Sequence, residues 1–269
     1  MRIIPALTLL MLLSLVGCNP KDNSNSNQGG RSSNSSSRNA NAGPVANFTP
    51  PEEIKPTEAA DPSFKSCNPY FPLVPGSQTK YNLSYASGLK ASVTVVTGQQ
   101  GSQNGKPVFL ETTQIVDSTG GLHKKSLDKK QYGCDGEKVQ VISPQIIDNE
   151  SDDNKAHVEV KFSSPAVAMI EASAVKPGTS WQYTFTEKFQ RPGQPLTDTN
   201  KTYTVNMSVI GPQDVTVPAG TFHTVKIERK TETTIAYEYY ARGIGLVKRE
   251  LADGTLWELR EFSGLKEEK

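Results

Sequence analysis

Beyond residue 64, apolar and polar residues alternate with a period of two along most of the chain, and no long stripe of period 3.6 interrupts them. Tyr81, Leu83 and Tyr85 alternate with polar partners across 79–85, and Val93 and Val95 do the same across 91–97. The β-branched run 108–117 predicts a further strand, as do 138–142, 157–162, 180–187 and 201–210. The pattern continues through 222–231, 235–241, 246–250 and 256–262. The punctuation between these segments is turn chemistry. Val74-Pro75-Gly76-Ser77 and Lys176-Pro177-Gly178-Thr179 place Pro then Gly at the centre of a type II turn, and Val217-Pro218-Ala219-Gly220 suits type I. Asp253-Gly254 between two strands reads as a hairpin. Only 165–174, around Val167, Ala168, Met169 and Ile170, predicts a helix, and a short one. The fold class that follows is all-β: an antiparallel meander that must curl into a curved sheet, half-barrel or barrel to hide its edges, with one short helix.

Pro75-Gly76-Ser77-Gln78-Thr79-Lys80-Tyr81 aligns without gaps on Pro177-Gly178-Thr179-Ser180-Trp181-Gln182-Tyr183. Val96-Thr97-Gly98 and Tyr132-Gly133 find looser counterparts in Val209-Ile210-Gly211 and Tyr240-Ala241. Preserved order across these landmarks suggests repeats over 68–163 and 164–265, against coincidence between common Pro-Gly turns. Two curved sheets, or one sheet built from two halves, would result.

The first 63 residues do not share the alternation. Arg2 is followed by an apolar run to Leu15, too short to span a bilayer and closed by small residues, which is the layout of a secretory signal over 1–17. Leu15-Val16-Gly17-Cys18 resembles the bacterial lipobox. That resemblance implies cleavage between Gly17 and Cys18 and lipidation of the Cys18 thiol, palmitate among the acyl chains. Each buried methylene contributes ~0.8 kcal/mol, so two or three chains make a stable membrane anchor. Asn19 in the next position implies the outer membrane if the host has two. From 18 to 63 the chain is rich in Ser and Asn, then in Pro, with almost no apolar side chain before Val45 and Phe48. Such a segment cannot offset its ordering entropy, and it reads as a disordered tether with a root-mean-square span of roughly 35 Å. The folded domain is then 64–269.

Composition changes the picture mainly by exclusion. With 29 basic and 28 acidic residues there is no net field for nucleic acid. Once Cys18 is committed to lipid, Cys67 and Cys134 remain. An oxidising compartment makes a disulfide between them the expectation, with two buried thiols or a metal site as the alternatives. His123, His157 and His223 are scattered, no Cys-x-x-Cys exists, and no metal or cofactor is expected. No Gly-x-Ser-x-Gly elbow, phosphate loop or His-Glu-x-x-His helix occurs. The oxygen-rich run 148–154 puts Asp153 where a calcium loop needs glycine, so a solvated acidic loop is the better reading. Tyr237, Tyr239 and Tyr240 read as core or cross-strand residues, and Arg242-Gly243-Ile244-Gly245 as a bulge or sharp bend.

Three stretches carry a family resemblance: 70–77, 215–222 and 239–248. They resemble uncharacterised bacterial lipoproteins, a group similar to the half-barrel envelope proteins that include the lipoprotein carriers LolA and LolB. No catalytic residue comes with that resemblance, and fold analogy is a weak warrant for function. The leading expectation is a non-enzymatic, membrane-anchored module of the cell envelope that binds an apolar ligand or a lipoprotein-like partner. The alternatives are an assembly component docking through sheet edges and a hydrolase with dispersed catalytic residues. Whether the β interior is packed or hollow separates them.

Overall fold

A computed structural model describes residues 52–61, 63–117, 125–150 and 155–268. Cys18, the Gly17–Cys18 junction and most of the tether lie outside the described residues. The first six strands are β1 (Gln78–Ser84), β2 (Lys90–Gln103), β3 (Lys106–Asp117), β4 (Lys125–Asp135), β5 (Lys138–Glu150) and β6 (Ala156–Phe162). A short β7 (Ala166–Met169) precedes β8 (Ser180–Gln190), β9 (Thr197–Val217) and β10 (Gly220–Lys230). The chain ends in β11 (Ile235–Ala241), β12 (Gly245–Leu251) and β13 (Leu256–Ser263).

All described pairings are antiparallel. β1 to β6 and β8 to β13 follow one another around a single sheet in chain order, with β6 beside β8. The ring closes where β13 pairs β1, from Gln78↔Ser263 to Ser84↔Leu256. Twelve strands thus form an up-and-down barrel, and β7 continues the wall beyond β6, on the same edge of β5. The fold is one closed sheet, not two. The predicted helix at 165–174 is β7 followed by a single 3-10 turn at Ala172–Ala174. Its apolar run looked helical because it is short and lacks alternation, but those residues serve as an added strand. Trp181 Nε1 donates to the Val167 carbonyl at 3.0 Å and holds that strand to β8.

The two Pro-Gly turns open the two halves of the ring alike. Gly76 and Gly178 have φ of 79° and 87°, the left-handed region a type II turn requires. The Gly76 and Gly178 amides donate to Thr97 and Val209 carbonyls at 2.8 and 2.9 Å. Thr97 and Val209 in turn donate to Ser77 and Thr179 at 3.1 and 2.9 Å. The matched landmark is therefore Thr97 with Val209, one residue off the sequence alignment.

One end of the barrel is sealed by residues 63–75. Phe64 packs on Phe109 (6.0 Å between centroids) and Phe71 on Tyr132 (5.0 Å), both inward-facing rings. Asn68, fully buried, donates through Nδ2 to the Glu137 and Ile170 carbonyls, each at 2.8 Å. Its Oδ1 accepts from the Tyr70 and Phe71 amides. Cys67 is bonded to Cys134 of β4, which ties the seal to the wall. The folded body also starts earlier than 64: the compact unit runs from Pro51 to Lys269. Residues 52–60 lie along the outer face of β1–β3. The Ile54 amide donates to Gln114 Oε1 at 3.1 Å, and Gln114 Nε2 donates to the Glu52 carbonyl at 3.0 Å. Proline favours the extended backbone this strap needs. It explains why Gln114, on an outward position, is buried.

The bridge spans a sequence separation of 67 residues. In the chain-entropy treatment its loss should cost roughly 4 kcal/mol. The double substitution Cys67→Ala, Cys134→Ala should lower the urea midpoint and raise the slope of the transition, because the unbridged denatured chain is less compact.

Candidate functional site

Register assigns the faces of the ring. Residues paired across a ladder share a face, and the face carrying Leu83, Val93, Val158, Val205 and Leu259 points inward. The same face carries charge. Trp257 pairs Arg249, Arg249 pairs Glu238, and Glu238 pairs Ile227. Arg229 follows Ile227 two residues on and pairs Ala236. On the other side of the ring Glu111 pairs Lys130, and Thr113 pairs Asp128.

These inward groups are not sealed in solid protein. Glu111, Asp128, Lys130, Tyr183 and Arg229 are only half-buried. The Arg249 side chain is 28% exposed while its partner Glu238 is 3% exposed. A side chain that points into a closed ring and still meets solvent meets it through the lumen or its open end. Solvent therefore reaches these inward groups. Ring size agrees: eight strands give an interior that side chains can fill, and larger barrels hold cavities.

The two sides meet electrostatically. Arg249 Nη2 donates to Glu238 Oε1 at 2.9 Å, and the Tyr240 hydroxyl donates to Glu238 Oε2 at 2.7 Å. Arg229 is near enough to sense the same carboxylate and Tyr183. Burial works to raise the Glu238 carboxyl, but Arg249, Arg229 and the Tyr240 hydroxyl outweigh it and hold it below the usual range. The Arg249 guanidinium lies over the Trp257 ring, 5.0 Å from its centroid. Arg249 Nε is buried with no hydrogen-bond partner among the described residues. Across the lumen, burial pushes the Glu111 carboxyl up, Lys130 opposes this, and Asp128 adds to it. Glu111 also senses Arg249, and Tyr132 senses Tyr183 and Tyr240. Gln145 Nε2 donates to both Asp128 oxygens at 2.7 Å.

Beside this cluster stands an aromatic wall. Phe185 stacks on Tyr203 at 5.0 Å, and Phe162 lies 6.0 Å from Tyr183 and 5.9 Å from Phe185. At its far edge burial pushes the Glu187 carboxyl up to about 7, against the opposing Tyr203 hydrogen bond and Lys201. A separate open depression of about 360 Å³, lined by Ser180, Trp181, Gln182, Asn206, Met207 and Ser208, brings no charged group.

None of the charged lumen residues was singled out by sequence. The usable signal was inverted: β4 reads Lys-Ser-Leu-Asp-Lys-Lys-Gln-Tyr, too polar to look like a strand, because Asp128, Lys130 and Tyr132 are its inward residues. The histidines stand elsewhere. His157 is on the outer face of β6 with Nδ1 2.7 Å from Asp148, and His223 is an exposed partner of Asp214. Among the described residues no group of His, Cys, Asp and Glu could hold a metal ion. Tyr240 is inward, and Gly243 and Gly245 at φ 74° and 87° make the sharp bend between β11 and β12.

The sequence family described as DUF3108-like matches residues 76–255, and the chain belongs to that family. Two solved structures are similar. One, described as an exported protein with a YmcC-like fold, is from Bacteroides fragilis: 16% identity, TM-score 0.45, covering 73% of this chain and 100% of the other. The second, described as a lipoprotein, is from Parabacteroides distasonis: 14% identity, TM-score 0.44, covering 74% of this chain and 100% of the other. No protein with a curated description matches.

Glu187 should make stability depend on pH. Its folded value, about 7, lies above the 4.5 of the free group, so between these the native state holds a proton that the unfolded chain releases. Stability should therefore fall as pH rises through that window, and Glu187→Gln should flatten the slope in denaturant titrations. Removing the Glu238 carboxylate leaves the Arg249 guanidinium unpaired, so Glu238→Ala should cost roughly 3 kcal/mol in the same assay.

Proposed function

We propose that this DUF3108-like protein is a non-catalytic binding module of the cell envelope, anchored by lipid at Cys18, that holds an apolar ligand inside its barrel. The observation that carries the reading is the hydrated interior: inward-facing side chains keep solvent contact within a closed ring. The aromatic wall of Phe162, Tyr183, Phe185 and Tyr203 offers apolar surface to a bound tail, and the charged cluster offers orientation. The described histidines, paired on the outside, supply no general base to that interior. Docking through sheet edges has little support, since closure leaves β7 as the free edge among the described strands.

The lipobox resemblance supports export, cleavage before Cys18 and acylation there, and Asn19 supports an outer-membrane address in a host with two membranes.

Native mass spectrometry of the full protein extracted from its own envelope should show a co-purifying lipid besides the covalent anchor. A ligand-free mass in every preparation, unchanged by added lipid extract, would rule the binding role out. Radiolabelled palmitate should mark the wild type and not Cys18→Ala; equal labelling of both would reject the anchor.

A further inference from the structure

The lumen wall carries Arg229, Arg249 and Lys130 against Glu111, Asp128 and Glu238, and these charges are not paired one for one. Arg249 is paired with Glu238, which also accepts from the Tyr240 hydroxyl, while Arg229 only senses that carboxylate. Enclosed charges are normally paired one for one and hydrogen-bonded, because each unpaired ion carries a large desolvation cost. The other charges of the cluster do not complete the pairing. Lys130 has Asp128 at 4.0 Å on its own strand, and Asp128 is bound by Gln145. Glu111 sits on the opposite side of the ring, paired in the ladder with Lys130 and sensing Tyr132 and Arg249. Burial raises its carboxyl and Asp128 adds to this, while Lys130 and Arg249 oppose it. Two guanidiniums thus face the lumen, Arg249 alone is ion-paired with Glu238, and Arg249 Nε has no hydrogen-bond partner among the described residues.

The geometry around them is that of a built site. Trp257 fixes the plane of Arg249 from one side, and Glu238 fixes its fork from another. Arg229 senses Tyr183, which is itself the first ring of the aromatic wall that continues through Phe162 and Phe185. Guanidinium recognises planar or tetrahedral oxyanions through paired N–H donors. We infer that Arg229 and Arg249 bind the acidic head of an amphiphile, a carboxylate or phosphate, whose apolar tail lies along Phe162, Tyr183 and Phe185. This rests on the reading of the lumen as a ligand site and adds the chemical class of the ligand.

The test titrates the full chain with three probes at matched concentration: decanoate, decanol and acetate, by isothermal calorimetry. Decanoate should bind roughly tenfold or more tightly than decanol, the size of a charge-assisted hydrogen bond to a buried arginine. Acetate should bind far more weakly than either, because it lacks the tail. Arg249→Gln should bring decanoate down to the level of decanol while leaving decanol unchanged, and the retained decanol affinity certifies a folded barrel. Arg249→Lys, which keeps the charge and loses the fork, should retain part of the preference.

Equal affinity of decanoate and decanol for the wild-type chain would overturn the acidic-head inference and leave lumen binding standing. Acetate as tight as decanoate would overturn it in favour of a small free anion. An undiminished acid preference in Arg249→Gln would place the head elsewhere and overturn it too. Failure of both decanoate and decanol to bind would overturn this inference and the binding role together.

Discussion

The antiparallel pairing of β1 with β13 joins the two ends of the meander, and the rest of the structure depends on it. Without that seam the sheet would expose the backbone donors and acceptors of two long edges, a liability for any β protein. With it, every strand of the ring has two neighbours, and the inward face becomes an enclosure instead of one side of a slab. The Lys80/Tyr81 irregularity in the seam lets the two strands twist into register. Closure is also what gives meaning to a partly exposed arginine in the wall: solvent reaches it through the lumen or its open end.

Enclosure then sets the electrostatics. A twelve-strand ring is too wide for one layer of aliphatic side chains to fill everywhere, so parts of the wall can carry polar groups without burying them dry. Arg249, Arg229 and Glu238 sit at that boundary, beside Trp257, Tyr183 and Tyr240. The aromatic hydroxyls matter twice, as apolar surface and as hydrogen-bond partners. Tyr132 and Tyr240 have hydroxyls pushed well above the usual range, chiefly by burial, so they remain donors at any physiological pH. The result is a wall whose polar members are oriented by neighbours on adjacent strands, which is the condition for a selective site.

The ends of the barrel are handled by chain that is not part of the ring. Residues 63–75 close one end through Asn68, Phe64 and Phe71, and the Cys67–Cys134 bridge fixes that closure covalently. At the same end the β9–β10 hairpin extends far enough for the Ala219 amide to donate to the Leu259 carbonyl at 3.0 Å. Val215, Val217 and Phe222 are buried by this bend. The strap at 52–60 grips the outer wall through Gln114, Glu53 and Glu58, so Glu53 meets both Lys80 and Thr94.

Strands with an apolar inward face were legible because alternation and burial coincide: 235–241 and 256–262 are found within a residue of their observed limits. β4 was not legible, because its inward residues are Asp128, Lys130 and Tyr132, and the short β7 was mistaken for a helix. The missed strand and the missed cluster share one cause, a lumen wall that is polar where its charged groups stand. By itself the sequence determined the strand-rich class, the turn positions at Gly76 and Gly178, and which side chains share a face. Only the tertiary structure decided that the sheet closes on itself and that Glu111 faces Arg249 across the interior. Local pattern reports each strand's own two sides; it carries no information about which residues, distant in the chain, a curved wall will bring face to face.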